Sequence, residues 1–312
     1  MRSATRPPRP EPMIRTAMRA GSLSDLQEAL HLARRSEEAS KIPTVLATAL
    51  RTACLRNFVP AVEYLVDVEK APITTVHPGD LSPTDTSVAL LDALYTRGWD
   101  PNQAPRQADK GDMLLDRLCH KDDAVKWLVE HGARVDRGQF DPDYAIVPQP
   151  APILETCAAV GSLASFKLLH EKGAPISRRT LHKAACAAAS VGADPSASEE
   201  EEASGGSTTE TLPGREERGR VLRYLVDGLR LDINQMDRDI PVTYHYGTPV
   251  NYAATRPGGA KVVRWLLDKG ADPGIKSLEA DQDAEGIARS NGCHEVVEAI
   301  QEWRYSQGQP PK

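Results

Sequence analysis

Residues 247–273 begin Gly247-Thr248-Pro249-Val250-Asn251-Tyr252-Ala253-Ala254, break at Pro257-Gly258-Gly259, and resume as Val262-Val263-Arg264-Trp265-Leu266-Leu267-Asp268-Lys269-Gly270-Ala271-Asp272. The Thr248-Pro249 pair favours a helix start, because a threonine hydroxyl can cap exposed N–H groups and proline in the first turn gives up no hydrogen bond. After the break, the apolar residues recur at the spacing of one helix face, and Gly270 predicts a left-handed helix end. The stretch therefore predicts two short helices, which need neighbours to bury their faces.

This unit of roughly 33 residues resembles the ankyrin repeat, whose Thr-Pro-Leu-His start is here Thr-Pro-Val-Asn. Other units of the chain follow the same plan. Gly98, Gly132 and Gly173 each close a predicted outer helix, and Thr180-Leu181-His182 restates the opening motif without its proline. The resemblance implies that His182 braces adjacent turns by hydrogen bonding. It also implies an all-α ankyrin-repeat solenoid of about seven to eight helix-turn-helix units, several of them degenerate.

Composition shifts divide the chain. Residues 1–12 are rich in proline and arginine and predict a disordered arm. The ankyrin-repeat domain is expected over 13–303, followed by a disordered tail over 304–312. Within the domain, an acidic insertion over about 191–218 contains Glu199 to Glu202 and a Ser-Gly-Gly-Ser run, so a flexible loop is predicted between the two helices of one repeat.

The overall charge limits the class of partner, and the cysteines indicate the cellular compartment. The net charge of −6 offers no field that would attract nucleic acid, and no apolar run is long enough to cross a membrane. A protein partner is therefore expected, with the chain itself monomeric. Far-apart cysteines in an odd number indicate reduced thiols and a cytoplasmic or nuclear location. They are Cys54, Cys119, Cys157, Cys186 and Cys293.

Catalytic motifs are missing from the sequence. It contains no Gly-x-Ser-x-Gly, no phosphate-binding or dinucleotide-binding glycine loop, and no His-Glu-x-x-His. His120 precedes Asp122 and Asp123, a residue set that suits zinc or iron, but no second histidine lies at ligand spacing. A solvated, helix-capping turn is the preferred interpretation. We therefore expect neither an enzyme nor a cofactor or metal site.

Three connecting segments are longer or more aromatic than the repeat requires: 72–83, 135–150 and 233–246. Tyrosines in loops on a rigid frame provide contact area with little loss of entropy, so these loops are the predicted partner contacts. The alternative is that they fold back over the inner helices. The candidate contact residues are Phe140, Tyr144, Tyr244, His245 and Tyr246.

Four predicted outer helices carry an aromatic residue at the same position: Tyr64, Trp127, Tyr224 and Trp265. The preferred interpretation is half-buried packing of the outer layer with polar atoms reaching water, and the alternative is a partner groove.

The sequence thus predicts a protein-binding scaffold or adaptor without catalytic activity. The irregular units and the large insertion resemble the divergent ankyrin proteins of filamentous fungi. One alternative is an accessory or regulatory subunit of a biosynthetic pathway, for example one of secondary metabolism, or of a transcriptional pathway. A second is an enzyme whose site is assembled from scattered polar residues.

Overall fold

The computed structural model describes residues 10–36, 40–106, 113–136, 151–197, 214–238 and 245–308. Throughout these ranges the regular elements are helical. Short 3-10 turns cover Ile73–Thr75, Pro78–Asp80 and Pro257–Gly259, and a π-helical turn covers Tyr224–Gly228. The α-helices are α1 (Pro10–Ala20), α2 (Leu23–Ser36), α3 (Ile42–Leu55), α4 (Val59–Asp67), α5 (Val88–Tyr95), α6 (Leu114–Leu118), α7 (Asp122–Glu130), α8 (Ile153–Val160), α9 (Leu163–Glu171), α10 (Thr180–Ser190), α11 (Arg215–Arg223), α12 (Pro249–Ala254), α13 (Ala260–Asp268), α14 (Ala284–Ser290) and α15 (His294–Ser306).

The chain divides into two compact units, one of residues 1–118 and 127–133, the other of 119–126 and 134–312. In the first unit, α1 pairs with α2 and α3 with α4. The inner helices α1 and α3 contact each other, and the outer helices α2, α4 and α5 follow one another. Fully buried leucines fill the space between the layers, so the apolar stripes predicted from the sequence do face a shared core. They include Leu26, Leu50, Leu65 and Leu90.

The third repeat replaces its inner helix with the segment 72–83. Its two 3-10 turns pack against α3, and Val76 and Leu81 are fully buried. Trp99 anchors the segment, because its Nε1–H donates to the Val76 carbonyl oxygen over 3.1 Å. This predicted contact loop therefore contributes part of its residues to the core.

In the second unit, four helical hairpins stack in sequence: α8–α9, α10–α11, α12–α13 and α14–α15. The inner helices α8, α10, α12 and α14 contact one another in that order. Close approach is possible because α10 buries small side chains, namely Ala184, Ala185, Ala188 and Ala189.

The glycine stops end their helices in the left-handed region, with φ of 87° at Gly98, 83° at Gly132, 91° at Gly173 and 98° at Gly270. At Gly270 the N–H donates to the Leu267 carbonyl oxygen over 3.0 Å, and the next N–H, that of Ala271, donates to Leu266 over 2.9 Å. The same pair of bonds recurs at the other three glycines. These positions satisfy the last carbonyl groups of each outer helix, as the sequence predicted.

After two outer helices, the left-handed position falls on a residue other than glycine. The Leu229 N–H reaches back five residues to the Tyr224 carbonyl oxygen over 2.8 Å, and Glu69 does the same to Tyr64 over 3.2 Å. Each helix thus holds one extra residue before its left-handed position, which falls on Arg230 (φ 52°) and on Lys70 (φ 59°). The sequence gives no signal for this, because neither residue type favours positive φ.

An asparagine in the loop of one repeat holds the glycine stop of the next. Asn234 donates its amide N–H to the Gly270 carbonyl oxygen over 3.2 Å and accepts the Asp272 N–H over 2.8 Å. Asn102 likewise donates to the Gly132 carbonyl oxygen over 2.9 Å. These bonds couple two of the repeats to the repeat that follows each of them.

The predicted domain edges need correction. Helix α1 begins at Pro10, which is buried, so the structured region starts before residue 13. Helix α15 continues to Ser306 and buries Arg304, so the predicted tail over 304–312 starts too early. The charge of Arg304 can be buried because the side chain pairs with the carboxylates of Glu285 and Asp283. These pairs depend on tertiary contacts, so the composition of the segment does not predict them. Residues 1–9 and 309–312 lie outside the described part of the chain.

The predicted insertion over 191–218 is also too long. Helix α11 begins at Arg215, and the guanidinium of Arg218 is buried against the carbonyl oxygens of Ala158 and Gly161. On the other side of the insertion, Pro195 is buried and its carbonyl oxygen accepts a bond from Arg223 over 2.9 Å. The acidic run Glu199 to Glu202 lies outside the described residues.

The predicted hydroxyl cap of α12 is wrong. Thr248 does occupy the position before the helix, with extended backbone, and Pro249 is the first helical residue. The Thr248 hydroxyl makes no capping bond, however, and is buried without a hydrogen-bond partner in the part of the chain that is described. Asn251 instead connects the turns, since its amide donates to the carbonyl oxygens of Tyr246 (2.8 Å) and Ile275 (3.1 Å).

Candidate interaction surface

Of the predicted loop contacts, His245 and Tyr246 are described, whereas Phe140, Tyr144 and Tyr244 lie outside the described residues. The His245 side chain is only 12% exposed, and its Nδ1 lies 2.8 Å from the Asp237 carboxylate. The Tyr246 ring packs edge-on against Tyr252 of α12, with 5.3 Å between centroids. The described part of this loop therefore folds back onto an inner helix, which is the alternative that the sequence left open.

Asp237 is the centre of this attachment. Its carboxylate is buried and accepts the Tyr252 hydroxyl over 2.5 Å as well as the bond from His245. Burial raises the pKa of Tyr252, with the Asp237 charge acting in the same direction. Burial also lowers the pKa of His245, and the hydrogen bond to Asp237 opposes it. The three side chains tie the two ends of the loop to α12.

A histidine oriented by an aspartate is also a catalytic arrangement, but it needs a nucleophile beside the ring. Among the described residues, no serine or cysteine makes a hydrogen bond with His245. Tyr252 cannot serve easily, because its raised pKa keeps the hydroxyl protonated. The contacts of Asp237 with His245 and Tyr252 are those of a structural attachment of the loop to α12.

His182 occupies the bracing position that the ankyrin resemblance implies. Its Nε2 lies 2.9 Å from the Gln235 carbonyl oxygen, and because a carbonyl only accepts, this nitrogen must carry the proton. The ring packs edge-on against Tyr252, 5.3 Å between centroids, and is fully buried. Burial lowers the pKa of His182 to about 4, so the imidazole is neutral at pH 7.

Each outer-helix aromatic packs against neighbours. Trp127 is buried, stacks on His131 at 3.9 Å, and donates its Nε1–H to Asp92 of α5 over 2.6 Å. Tyr224 meets Phe166 of α9 edge-on at 6.2 Å. In the remaining helices, Tyr64 donates its hydroxyl to Glu69 over 2.6 Å, and Trp265 is buried beneath the Lys269 ammonium. Packing of the outer layer, the preferred interpretation, accounts for these contacts.

The candidate metal ligands have structural partners. The Asp122 carboxylate accepts hydroxyl bonds from Ser162 (2.5 Å) and Ser165 (2.6 Å), so it anchors the start of α9. Asp123 bonds the Ala124 N–H over 2.8 Å, and His120 is exposed. The described residues hold no group of three potential metal ligands. The contacts of Asp122 and Asp123 are those of carboxylates that hold helix starts and turns.

Open surface remains on the inner helices. In the first unit, a groove of about 270 Å³ lies along α1 and α3 and is lined by Ile14, Thr44, Thr48 and Thr52, among others. In the second unit, α10 presents the half-buried Lys183, Cys186 and Ala187. Short side chains on a rigid helical frame leave room for another chain to approach.

Comparison with known families gives one match. Residues 247–278 match the family model of the ankyrin repeat. No curated protein matches the sequence. The repeat found in this way is the unit that contains Thr248, Pro249, Asn251 and Gly270, and the predicted fold class, an all-α ankyrin-repeat solenoid, is confirmed.

Ankyrin repeats form protein-interaction domains, so the architecture supports binding of another protein. No helix among the described residues combines the length and the apolarity needed to span a membrane.

Proposed function

We propose that this protein is a scaffold or adaptor that binds a partner protein through its inner helices and has no catalytic activity. The observation that carries the proposal is the ordered contact of α8, α10, α12 and α14, which places successive inner helices side by side. Stacked repeats of this kind use their inner-helix faces and loop tips as binding surfaces. The half-buried Ala187 of α10 marks a part of that face where a partner can come close to the helix.

A cytoplasmic or nuclear location fits this role. All five cysteines are free thiols, and four of them are buried. Free thiols in this number are typical of a reducing compartment. A regulatory subunit that holds an enzyme or a transcription factor would use the same surface, so identification of the partner also identifies the pathway.

The test is capture of partners from a lysate of the source cells with the full chain as bait. Two matched variants locate the surface: Ala187→Trp places a bulky ring on the inner helix α10, and Ala164→Trp places the same ring on the exposed side of the outer helix α9. We expect a partner in stoichiometric amount with the natural chain and with Ala164→Trp, and its loss with Ala187→Trp.

Two results contradict the proposal. If both variants retain the partner equally, the inner face is not the binding surface. If the purified chain alone turns over a substrate, the chain is an enzyme. Circular dichroism of both variants controls for loss of fold.

A further inference from the structure

Three cationic side chains gather on one face of the second unit, at α10 and at the end of α12. Arg179 directly precedes α10, and Lys183 follows four residues later, so the two lie on the same helix face. Cys186, three residues further, shares that face. Arg256, just after α12, brings its guanidinium Nε to 3.2 Å from the Cys186 sulfur. We call Arg179, Lys183 and Arg256 the inner basic cluster.

The cluster is not neutralised within the described part of the chain, since none of its members forms an ion pair there. Two carboxylates of the surrounding structure are engaged by other groups. Glu155, whose charge acts on Lys183 and opposes the lowering of its pKa, is buried and accepts the Ser177 hydroxyl over 2.6 Å. Asp237 is bound by His245 and Tyr252.

Other basic side chains of the same unit do have carboxylate partners. The pairs are Lys261 with Asp194, Arg264 with Glu302, Lys269 with Asp227, and Arg289 with Glu285. The three cations of the inner basic cluster have no such partner among the described residues.

The environment of Lys183 makes an anionic partner favourable. Its ammonium is half-buried and makes no hydrogen bond within the described residues. Burial lowers the pKa of Lys183, and the positive charges of Arg179 and Arg256 lower it further. For a partly desolvated cation beside two others, the attraction of an approaching carboxylate offsets both the desolvation already incurred and the repulsion among the three cations.

We propose that the inner basic cluster binds an acidic segment of the partner protein, with glutamate or aspartate carboxylates against Lys183 and Arg256. This inference rests on the proposed function and adds the chemistry of the partner. Charge complementarity calls for an anionic occupant, and the size of the cluster selects a short acidic peptide over a nucleic acid. Three cations are fewer than the roughly six to ten phosphate contacts of a typical nucleic-acid site.

The test is fluorescence anisotropy with the full chain and a labelled peptide that contains four consecutive glutamates. A second peptide carries glutamines instead. We expect the glutamate peptide to bind, the glutamine peptide to bind at least about tenfold more weakly, and the affinity to fall as salt is added.

Single substitutions test whether the charges of the inner basic cluster are the ones that bind the peptide. Lys183→Glu and Arg256→Glu each reverse one charge of the cluster, and we expect at least about a tenfold loss of affinity from each. Lys172→Glu makes the same change at an exposed lysine just after α9 and should alter affinity by less than about twofold. Lys183→Met keeps the length of the side chain and removes only its charge, so it replaces Lys183→Glu if that variant does not fold.

Several results would overturn the inference: no binding of the glutamate peptide, equal binding of both peptides, an equal loss with Lys172→Glu, or tighter binding of a single-stranded oligonucleotide. Binding that occurs only after Glu199 to Glu202 are changed to glutamine would show that the chain's own acidic run is the occupant, and it would also overturn the inference. If the lysate partner is captured and the glutamate peptide does not bind, the inference fails and the proposed function stands.

Discussion

Acidification should destabilise the second unit through His182. Burial lowers the pKa of this histidine to about 4, whereas an unfolded chain has a histidine pKa near 6.5. Between these two values the unfolded state takes up a proton that the folded state refuses, so folding becomes less favourable as the pH falls. The stabilisation is complete above pH 6.5 and is lost progressively toward pH 4.

The size of the effect follows from the difference between the two pKa values. Each pKa unit corresponds to about 1.4 kcal/mol, so His182 should cost the fold about 2 kcal/mol at pH 5 relative to pH 7. The loss should approach about 3 kcal/mol near pH 4. Full burial of the ring justifies the use of the whole difference, since solvent does not screen it.

The assay is urea unfolding at pH 7 and pH 5 for the natural chain and for His182→Gln. Glutamine can still donate to the Gln235 carbonyl oxygen but does not titrate, so the variant keeps the bond found at 2.9 Å and loses the pH response. Other titrating groups, including His245, are common to both proteins and cancel in the comparison. The natural chain should lose about 2 kcal/mol more than the variant between the two pH values. Parallel losses would refute the reasoning.

Four further substitutions, one of them a control, test the elements that hold the repeats together. Gly270→Val should lower the melting temperature by about 2–8 °C, because the position has φ of 98° and a β-branched residue is strained there. The strain comes from the backbone alone, since no atom lies within 4 Å of an added Cβ. An unchanged melting temperature in a thermal scan would show that this helix end does not contribute to stability. Arg304→Met should cost about 3–5 kcal/mol in urea unfolding, because it leaves the buried Glu285 without its internal partner. Arg289→Met removes the other partner of the same carboxylate, but the Arg289 side chain is 57% exposed, so the loss should be under about 1 kcal/mol, and equal losses would contradict this account. Asn234→Ala should cost about 1–2 kcal/mol, because two hydrogen bonds to the next repeat disappear, and a neutral result by the same method would show that the repeats are not coupled there.

Most of the architecture could be predicted from the sequence. The predicted outer helix around Val262, Val263, Leu266 and Leu267 corresponds to α13, and the glycine stop at Gly270 has the left-handed backbone that was expected. Apolar spacing and left-handed glycines are local signals, so they can be recognised without knowledge of the partners across the core.

The irregular parts could not be predicted in this way. Lys70 and Arg230 end their helices at positive φ because a five-residue hydrogen bond adds one residue before each, and nothing in the residue types indicates it. The segment 72–83 is predicted to be a contact loop because it is longer than the repeat requires, and it has no helical periodicity, yet it buries Val76 and Leu81. Helical periodicity in a sequence indicates regular structure, but a segment without regular structure can also be buried.

The inner basic cluster could not be predicted from the sequence at all. Arg256 lies near Cys186 only because α12 packs on α10, and these residues are far apart along the chain. The loop tyrosines are predicted partner contacts because of their residue type. In the structure, however, Tyr246 packs against Tyr252 of the inner helix α12. Which cations remain without a carboxylate depends on tertiary contacts, so residue type alone did not locate the inner basic cluster.

The most direct test of the account is amide hydrogen exchange on the complex formed by the full chain and its captured partner, compared with the free chain. The account predicts that the partner slows exchange in the inner helices α10 and α12, and that the outer helices α9 and α13 change little. Protection confined to the outer helices, or none in α10, would contradict the claim that this protein holds its partner on the inner face.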